Sequence, residues 1–202
     1  MQGLADGYFV IPYTIADYLA NDIRTGTIST ELPEFDEAEQ NVKDRISAFI
    51  NNDGNTPVDV FHKRLGQIIW NKVGMARNVD DLQSAIEEIS TLREEFYKDV
   101  YVPGSADGMN PELEKAGRVA DLIELGQLMA RDALERNESC GGHFREDSVE
   151  IGGPQAGEAK RNDEEFMYVA AWEYNGPDAK KSTLHKEELE FNNIEVKQRS
   201  YK

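Results

Sequence analysis

Cysteine is nearly absent from this sequence: the 202 residues hold a single one, Cys140. One thiol excludes an intrachain disulfide framework, and it excludes any zinc or iron–sulfur site built from the cysteines of this chain alone. Long hydrophobic runs are missing as well. Residues 8–11 and 119–120 fall far short of the roughly 20 apolar residues that cross a bilayer. The opening Met1-Gln2-Gly3-Leu4-Ala5-Asp6 has neither a basic nor an apolar region, so no secretory signal is expected. A membrane role would have to come through partner subunits. Positive charge is also scarce. Lys and Arg number 22 against 39 Asp and Glu, a formal charge of -17. A surface this acidic repels phosphate, which excludes nucleic acid as a partner.

The usual chemical signatures are missing too. No G-x-G-x-x-G and no G-x-x-x-x-G-K-[ST] brings backbone amides onto a pyrophosphate. No H-E-x-x-H, H-x-H or serine-nucleophile elbow occurs, and His62, His143 and His185 stand apart in sequence. Carboxylate pairs such as Glu87-Glu88 and Glu94-Glu95 read as solvated helix faces, because acidic residues are abundant everywhere.

What is present is helical periodicity. Residues 6–22 read as an aromatic, apolar helix with a kink or restart at Pro12, too sticky to stand free. A Thr- and Ser-rich connector follows over residues 24–32. A helix starting at Pro33 carries Phe35, Ala38, Val42, Ile46, Phe49 and Ile50 at helical spacing, and Asn51-Asn52-Asp53-Gly54-Asn55 ends it. Thr56-Pro57 starts the next, lined by Phe61, Leu65, Ile68, Ile69, Trp70 and Val73. Asn78 caps a third, with Leu82, Ala85, Ile86, Ile89, Leu92, Phe96 and Val100 on its stripe. Asn110-Pro111 opens the longest, bearing Leu113, Ala116, Ala120, Ile123, Gln127, Ala130 and Leu134. Ala116, Gly117, Ala120 and Gly126 would permit close helix approach.

Matched lengths of roughly 20 to 27 residues, about 30–40 Å each, predict an antiparallel, three-helix, spectrin-repeat-like bundle. The fold class is therefore mainly α, with a leading helix and a partly β C-terminal tail. The segments fall at 1–32 (leading helix and connector), 33–137 (helical bundle) and 138–202 (tail). Within the tail, Gly152-Gly153-Pro154 marks a loop, residues 166–174 a strand and Asn175-Gly176-Pro177-Asp178 a turn. Residues 183–191 and 194–199 alternate weakly, as edge strands do.

One segment concentrates chemistry: Glu138-Ser139-Cys140-Gly141-Gly142-His143-Phe144-Arg145-Glu146-Asp147. A thiol, an imidazole and a guanidinium within six residues could hold an anion or a flavin edge. The same groups could instead pin a loop, through an Arg–carboxylate bridge and a backbone-bonded His. A Cys140–His143 nucleophile pair is a third reading, although such pairs usually come from distant parts of a chain.

That segment, followed by Lys160-Arg161-Asn162-Asp163-Glu164-Glu165-Phe166, resembles the E-S-R-G-x-H-x-R-x-D…R-D-D-x-x-[WF] stretch of succinate dehydrogenase and fumarate reductase flavoproteins. L-aspartate oxidase has a close relative of it. Gln198-Arg199-Ser200-Tyr201 resembles the family's R-x-Y close. Residues 3–15 look like the helix after the family's flavin-binding segment, most like the Bacteroidetes-type enzymes. Two departures are plain: Cys140 stands where the family usually has Arg, and residues 148–159 are longer and richer in glycine.

The resemblance implies an FAD-dependent oxidoreductase whose flavin exchanges a hydride equivalent with the succinate/fumarate pair. Electrons then pass through an iron–sulfur subunit to a quinone in a membrane anchor. The dinucleotide fingerprint, the flavin-bearing histidine and the catalytic residues are expected upstream of Met1. No catalytic, FAD-binding or metal residue is therefore expected here. The implied role is a non-catalytic module, inactive alone, that supports the FAD domain and contacts the iron–sulfur subunit. It would be peripheral, at the cytoplasmic face of the inner membrane. Glu138, Ser139, Gly141, His143, Arg145, Asp147, Arg161 and Asp163 form the family-motif loop, with His143 and Arg145 expected to donate hydrogen bonds to the FAD domain. The alternatives are the same module of L-aspartate oxidase, or a free-standing acidic helical adaptor.

Overall fold

A computed structural model of the chain describes residues 1–149, 157–176, 178 and 181–197. The expected Gly152-Gly153-Pro154 loop, Pro177 of the expected turn and the Gln198-Arg199-Ser200-Tyr201 close lie outside the described residues. The chain divides into two compact units, Met1–Asp44 and Arg45–Lys202.

In the first unit a helix, α1, runs through residues 2–18 as four successive segments. Gln2–Ala5 and Ile11–Tyr13 have α geometry, and Asp6–Val10 and Thr14–Tyr18 have the wider π geometry. The kink expected at Pro12 is spread over these wide turns. Proline has no N–H to give and its ring crowds the carbonyl one turn back, and i→i+5 bonding on either side relieves both. Tyr8, Phe9, Val10, Ile11, Tyr13, Ile15 and Tyr18 are all exposed. Helix α2, Pro33–Ile50, starts in this unit and ends in the next. Its expected core stripe fails over most of its length, since Phe35 and Val42 are exposed and only Phe49 is buried. In the last turn Phe49 and Ile50 reach the core.

Three helices build the second unit: α3 (Val58–Ile68, continued by a π turn at Ile69–Val73), α4 (Val79–Asp99) and α5 (Pro111–Glu135). The Asn78 side chain accepts from the Asp81 N–H at 2.9 Å, and Asn110 accepts from Glu112 and Leu113 at 3.1 Å. Each Asn thus satisfies amides that a helix start leaves without partners. Two parallel two-residue ladders fix the helix directions. Strand β1 (Thr56–Pro57) pairs with β3 (Val100–Tyr101), Thr56 opposite Val100, which sets the start of α3 beside the end of α4. Strand β2 (Ala76–Arg77) pairs with β4 (Phe144–Arg145), which sets the start of α4 beside the segment after α5. The three helices therefore run up, down and up.

Their facing stripes supply the core. Phe61, Leu65, Ile89, Leu92, Phe96, Val119 and Ile123 form one cluster with Phe49, and the Phe61 and Phe96 rings meet edge to face at 5.2 Å. Val73, Leu82, Ala85, Ala130 and Ala133 form a second at the other end. Trp70, expected on the α3 stripe, is exposed. At about 100° per residue it lies about 140° round from Leu65, off the buried face. Gly126 gives the expected close approach, because a Cβ there would sit 3.2 Å from Ile69 Cδ1. Gly117 does not: a Cβ there would meet nothing within 4 Å, and its carbonyl accepts instead from Arg45.

After α5 come a short helix α6 (Asp163–Phe166) and an antiparallel hairpin of β5 (Tyr168–Glu173) and β6 (Thr183–Glu188). The hairpin is fastened to α5 by side chains. Trp172 Nε1 donates to Asp132 at 2.9 Å, Lys186 donates to Glu135 at 2.7 Å, and the Arg131 guanidinium lies 4.4 Å from the Trp172 ring centre. The strand expected at 194–199 does not form over its described part, residues 194–197. Among the described residues no further strand pairs with β6 to hold it.

Candidate functional site

The motif segment folds over the end of the bundle where α3 and α5 finish and α4 begins. The last carbonyls of a helix carry partial negative charge and its first amides partial positive charge. The sequence places ions to match. Arg145 is completely buried, and all three of its guanidinium nitrogens donate. Its Nη1 donates to the carbonyls of Ala133 (3.0 Å), Leu134 (3.3 Å) and Arg136 (3.3 Å), capping α5. Its Nε and Nη2 make a two-pronged bridge to Asp147 at 2.7 and 2.8 Å. Asp147 also accepts from the Val79 N–H at 3.0 Å, the first amide of α4. The Arg145 hydrogen bonds, helped by that amide, hold the Asp147 carboxyl below its ordinary range.

Arg77 serves α3 in the same way, its Nε donating to the carbonyls of Val73 and Gly74 at 3.0 Å each. Its Nη1 lies 2.6 Å from His143 Nδ1, and His143 Nε2 lies 2.8 Å from the Arg136 carbonyl. Guanidinium only donates and a carbonyl only accepts, so the half-buried ring is the neutral Nε2–H tautomer. Burial, opposed by the Arg136 carbonyl and aided by the charges of Arg77, Arg145 and Arg136, pushes the His143 pKa down. With both ring nitrogens engaged, His143 has none left for Cys140. The Cys–His pairing is therefore a backbone one, a bridge between residues 140 and 143 closed by Cys140 N–H to His143 C=O at 2.9 Å. Gly141 sits in that turn at φ +60°, where a side chain would strain the backbone.

The remaining motif residues knit the loop to the tail. Glu138, buried, accepts from Arg136 Nη1 at 2.7 Å and from the Asn162 N–H at 2.8 Å. Ser139, also buried, accepts from the Arg145 N–H at 2.9 Å, and its own N–H donates to the Lys160 carbonyl at 2.7 Å. Arg161 bridges Asp163 at 2.6 Å, and this bond raises its pKa further. All eight motif residues therefore belong to one local framework. Arg145 and His143, expected to reach toward an FAD domain, spend their donors inside this chain. Arg77 and Arg136 were missed from sequence. Arg77 could have been found from its place after Gly74, where an α3 terminus needs a cation.

The arrangement does not fit a dinucleotide. A pyrophosphate cradle needs a glycine-rich turn between a strand and a helix, and the parallel ladders here are two residues long. The cleft beside the loop, touching Ser139, Cys140, His143 and Phe144, has a volume of about 270 Å³. That is less than the roughly 300–1,000 Å³ of ordinary small-molecule sites. Among the described residues no cluster of His, Cys, Asp or Glu could hold a metal, and no helix is long and apolar enough to cross a membrane.

The family model described as fumarate reductase flavoprotein C-term matches residues 62–201. The chain belongs to that family. The fumarate reductase flavoprotein subunit of Helicobacter pylori strain J99 is 27% identical over 186 residues, 90% of this chain and 24% of the relative. The succinate dehydrogenase flavoprotein subunit of Bacillus subtilis is 23% identical over 162 residues, 80% of this chain and 25% of the relative. A solved quinol-fumarate reductase with menaquinol molecules superposes with a TM-score of 0.69 at 18% identity. The match covers 86% of this chain and 28% of the other. The chain thus spans about a quarter of the length of the curated relatives it matches. The chain shares its mainly helical fold with small sheets with the matched part of that solved structure.

Proposed function

We propose that this chain is the non-catalytic helical module of a succinate dehydrogenase/fumarate reductase flavoprotein, an FAD-dependent enzyme interconverting succinate and fumarate. The carrying observation is the family match over residues 62–201, joined to a motif loop in which Arg145 and Asp147 serve helix ends. Glu138, Ser139, Arg145 and Asp147 act as the frame, with Arg161 and Asp163 bracing it from the tail. Gly141 and its exposed neighbours Cys140, Gly142 and Phe144 are the rim offered to the FAD domain and the iron–sulfur subunit. The exposed aromatic face of α1 suits cover by the FAD domain, since solvent contact for so many apolar side chains is costly. FAD and its hydride chemistry belong to that other domain. The complex would sit at the cytoplasmic face of the inner membrane, held by an anchor subunit that passes electrons to or from quinone.

The test is to tag the chain in its source cells and isolate what carries the tag. The expected product contains FAD and an iron–sulfur subunit and is reduced by succinate. Reduction by L-aspartate without an iron–sulfur partner would transfer the module to L-aspartate oxidase. A flavin-free product would leave a free-standing acidic adaptor and overturn the proposal.

A further inference from the structure

The His143 side chain joins three parts of the bundle end. It sits on the loop, its Nε2 holds the α5 terminus through the Arg136 carbonyl, and its Nδ1 holds the β2 turn through Arg77. We infer that His143 is an acid-sensitive latch: a proton taken up from solvent at Nδ1 breaks the Arg77 contact and frees the motif loop from the β2 turn. The inference rests on this geometry and not on the proposed function.

The chemistry leaves little choice. Arg77 carries no acceptor and stays charged, so a protonated Nδ1 would set a donor against a donor and a cation against a cation at 2.6 Å. The groups that face the ring increase the cost. Arg77 approaches from β2, Arg145 from β4 and Arg136 from the end of α5, and all three are positive. The nearby carboxylates are committed elsewhere: Asp147 to Arg145 and the Val79 amide, Glu138 to Arg136 and the Asn162 amide. Asp132 acts on Arg77 from α5, and its carboxylate already accepts from Trp172. From the tail, Glu158 lines the same cleft as His143, and among the described residues the charges that act on the ring are those of the three arginines. The Arg77 contact lies beside the β2–β4 ladder, which the Glu146 N–H to Arg77 carbonyl bond closes at 2.8 Å.

The sign follows from linkage. The closed loop holds His143 below its ordinary pKa of about 6.5, so the latch contributes fully above that value and weakens as pH falls through it. Opening of the loop should rise about tenfold for each pH unit below about 6.5, until the closed-state pKa is reached.

The experiment is amide hydrogen exchange at Glu146 in the full chain between pH 7.5 and 5, corrected for intrinsic exchange. His143→Gln is the comparison, because a carboxamide can accept from Arg77 and donate to the Arg136 carbonyl without titrating. The expected result is an opening that climbs about tenfold per pH unit below about 6.5 in the wild type and stays flat in the variant. Equal slopes in both proteins would overturn the latch. Nitrogen NMR of the wild-type ring gives an independent decision should the variant fold poorly. An Nε2–H tautomer with a pKa below 6.5 supports the latch, and a proton on Nδ1 at pH 7.5 or an undepressed pKa overturns it.

Discussion

A guanidinium with no solvent contact is costly unless its donors find partners, and Arg145 engages all three of its nitrogens with three carbonyls and one carboxylate. Its removal leaves α5 uncapped and Asp147 without its partner. Arg145→Met should therefore cost about 3–5 kcal/mol, the range for breaking a buried ion pair from one side. Urea unfolding of variant and wild type measures this. Arg145→Lys should recover little of it, because an ammonium cannot span Asp147 and the helix end together. A loss below about 1 kcal/mol in the Met variant would mean that the bridge is only a surface contact. Cys140 shows the opposite case. It is exposed, and the turn at 140–143 closes through backbone bonds.

Helix ends decide how the elements meet. Gly54 has no room for a side chain: a Cβ would lie 2.4 Å from the backbone carbon of Asp99, where α4 gives way to β3. The obstacle is backbone and cannot rotate away. Gly54→Ala should destabilise the second unit by about 1–3 kcal/mol, as overpacking does, although the same change at an open position is nearly neutral or stabilising. Thermal unfolding followed by circular dichroism tests it, with Gly117→Ala as the control, since that site is open and helical. Beside this contact Asp99 accepts from the Asn55 N–H at 3.0 Å and from the Thr56 hydroxyl at 2.5 Å. These bonds, Thr56 foremost, lower its pKa and tie the start of α3 to the end of α4.

For the whole chain, a charge of -17 means that compaction works against self-repulsion. Surface pairs such as Arg45–Asp121 and Arg64–Glu95 offset little of it, because exposed bridges are each worth about 0–1 kcal/mol. Raising salt from about 0.01 M to about 0.3 M shortens the screening length from about 30 Å to below about 10 Å. The melting temperature should rise by a few degrees over that range in calorimetry. A fall would show that attractive pairs outweigh the net charge.

The sequence by itself determined the helices, because a 3.6-residue stripe, an Asn cap and a Pro–Gly break are local signals that tertiary contacts seldom override. The stripe of Leu82, Ala85, Ile89, Leu92 and Phe96 and the caps Asn78 and Asn110 stand where periodicity put them. The same signals misled for α2, where Phe35 and Val42 have the right spacing and yet are exposed. Periodicity says that a face exists, and only packing says what covers it. The motif loop was legible as residue types, and its family membership as a pattern. Its wiring was not. Arg77 lies 66 residues from His143, and no local rule joins them. Only the meeting of two helix C-termini and one N-terminus at the same end of the bundle decides which ion goes where.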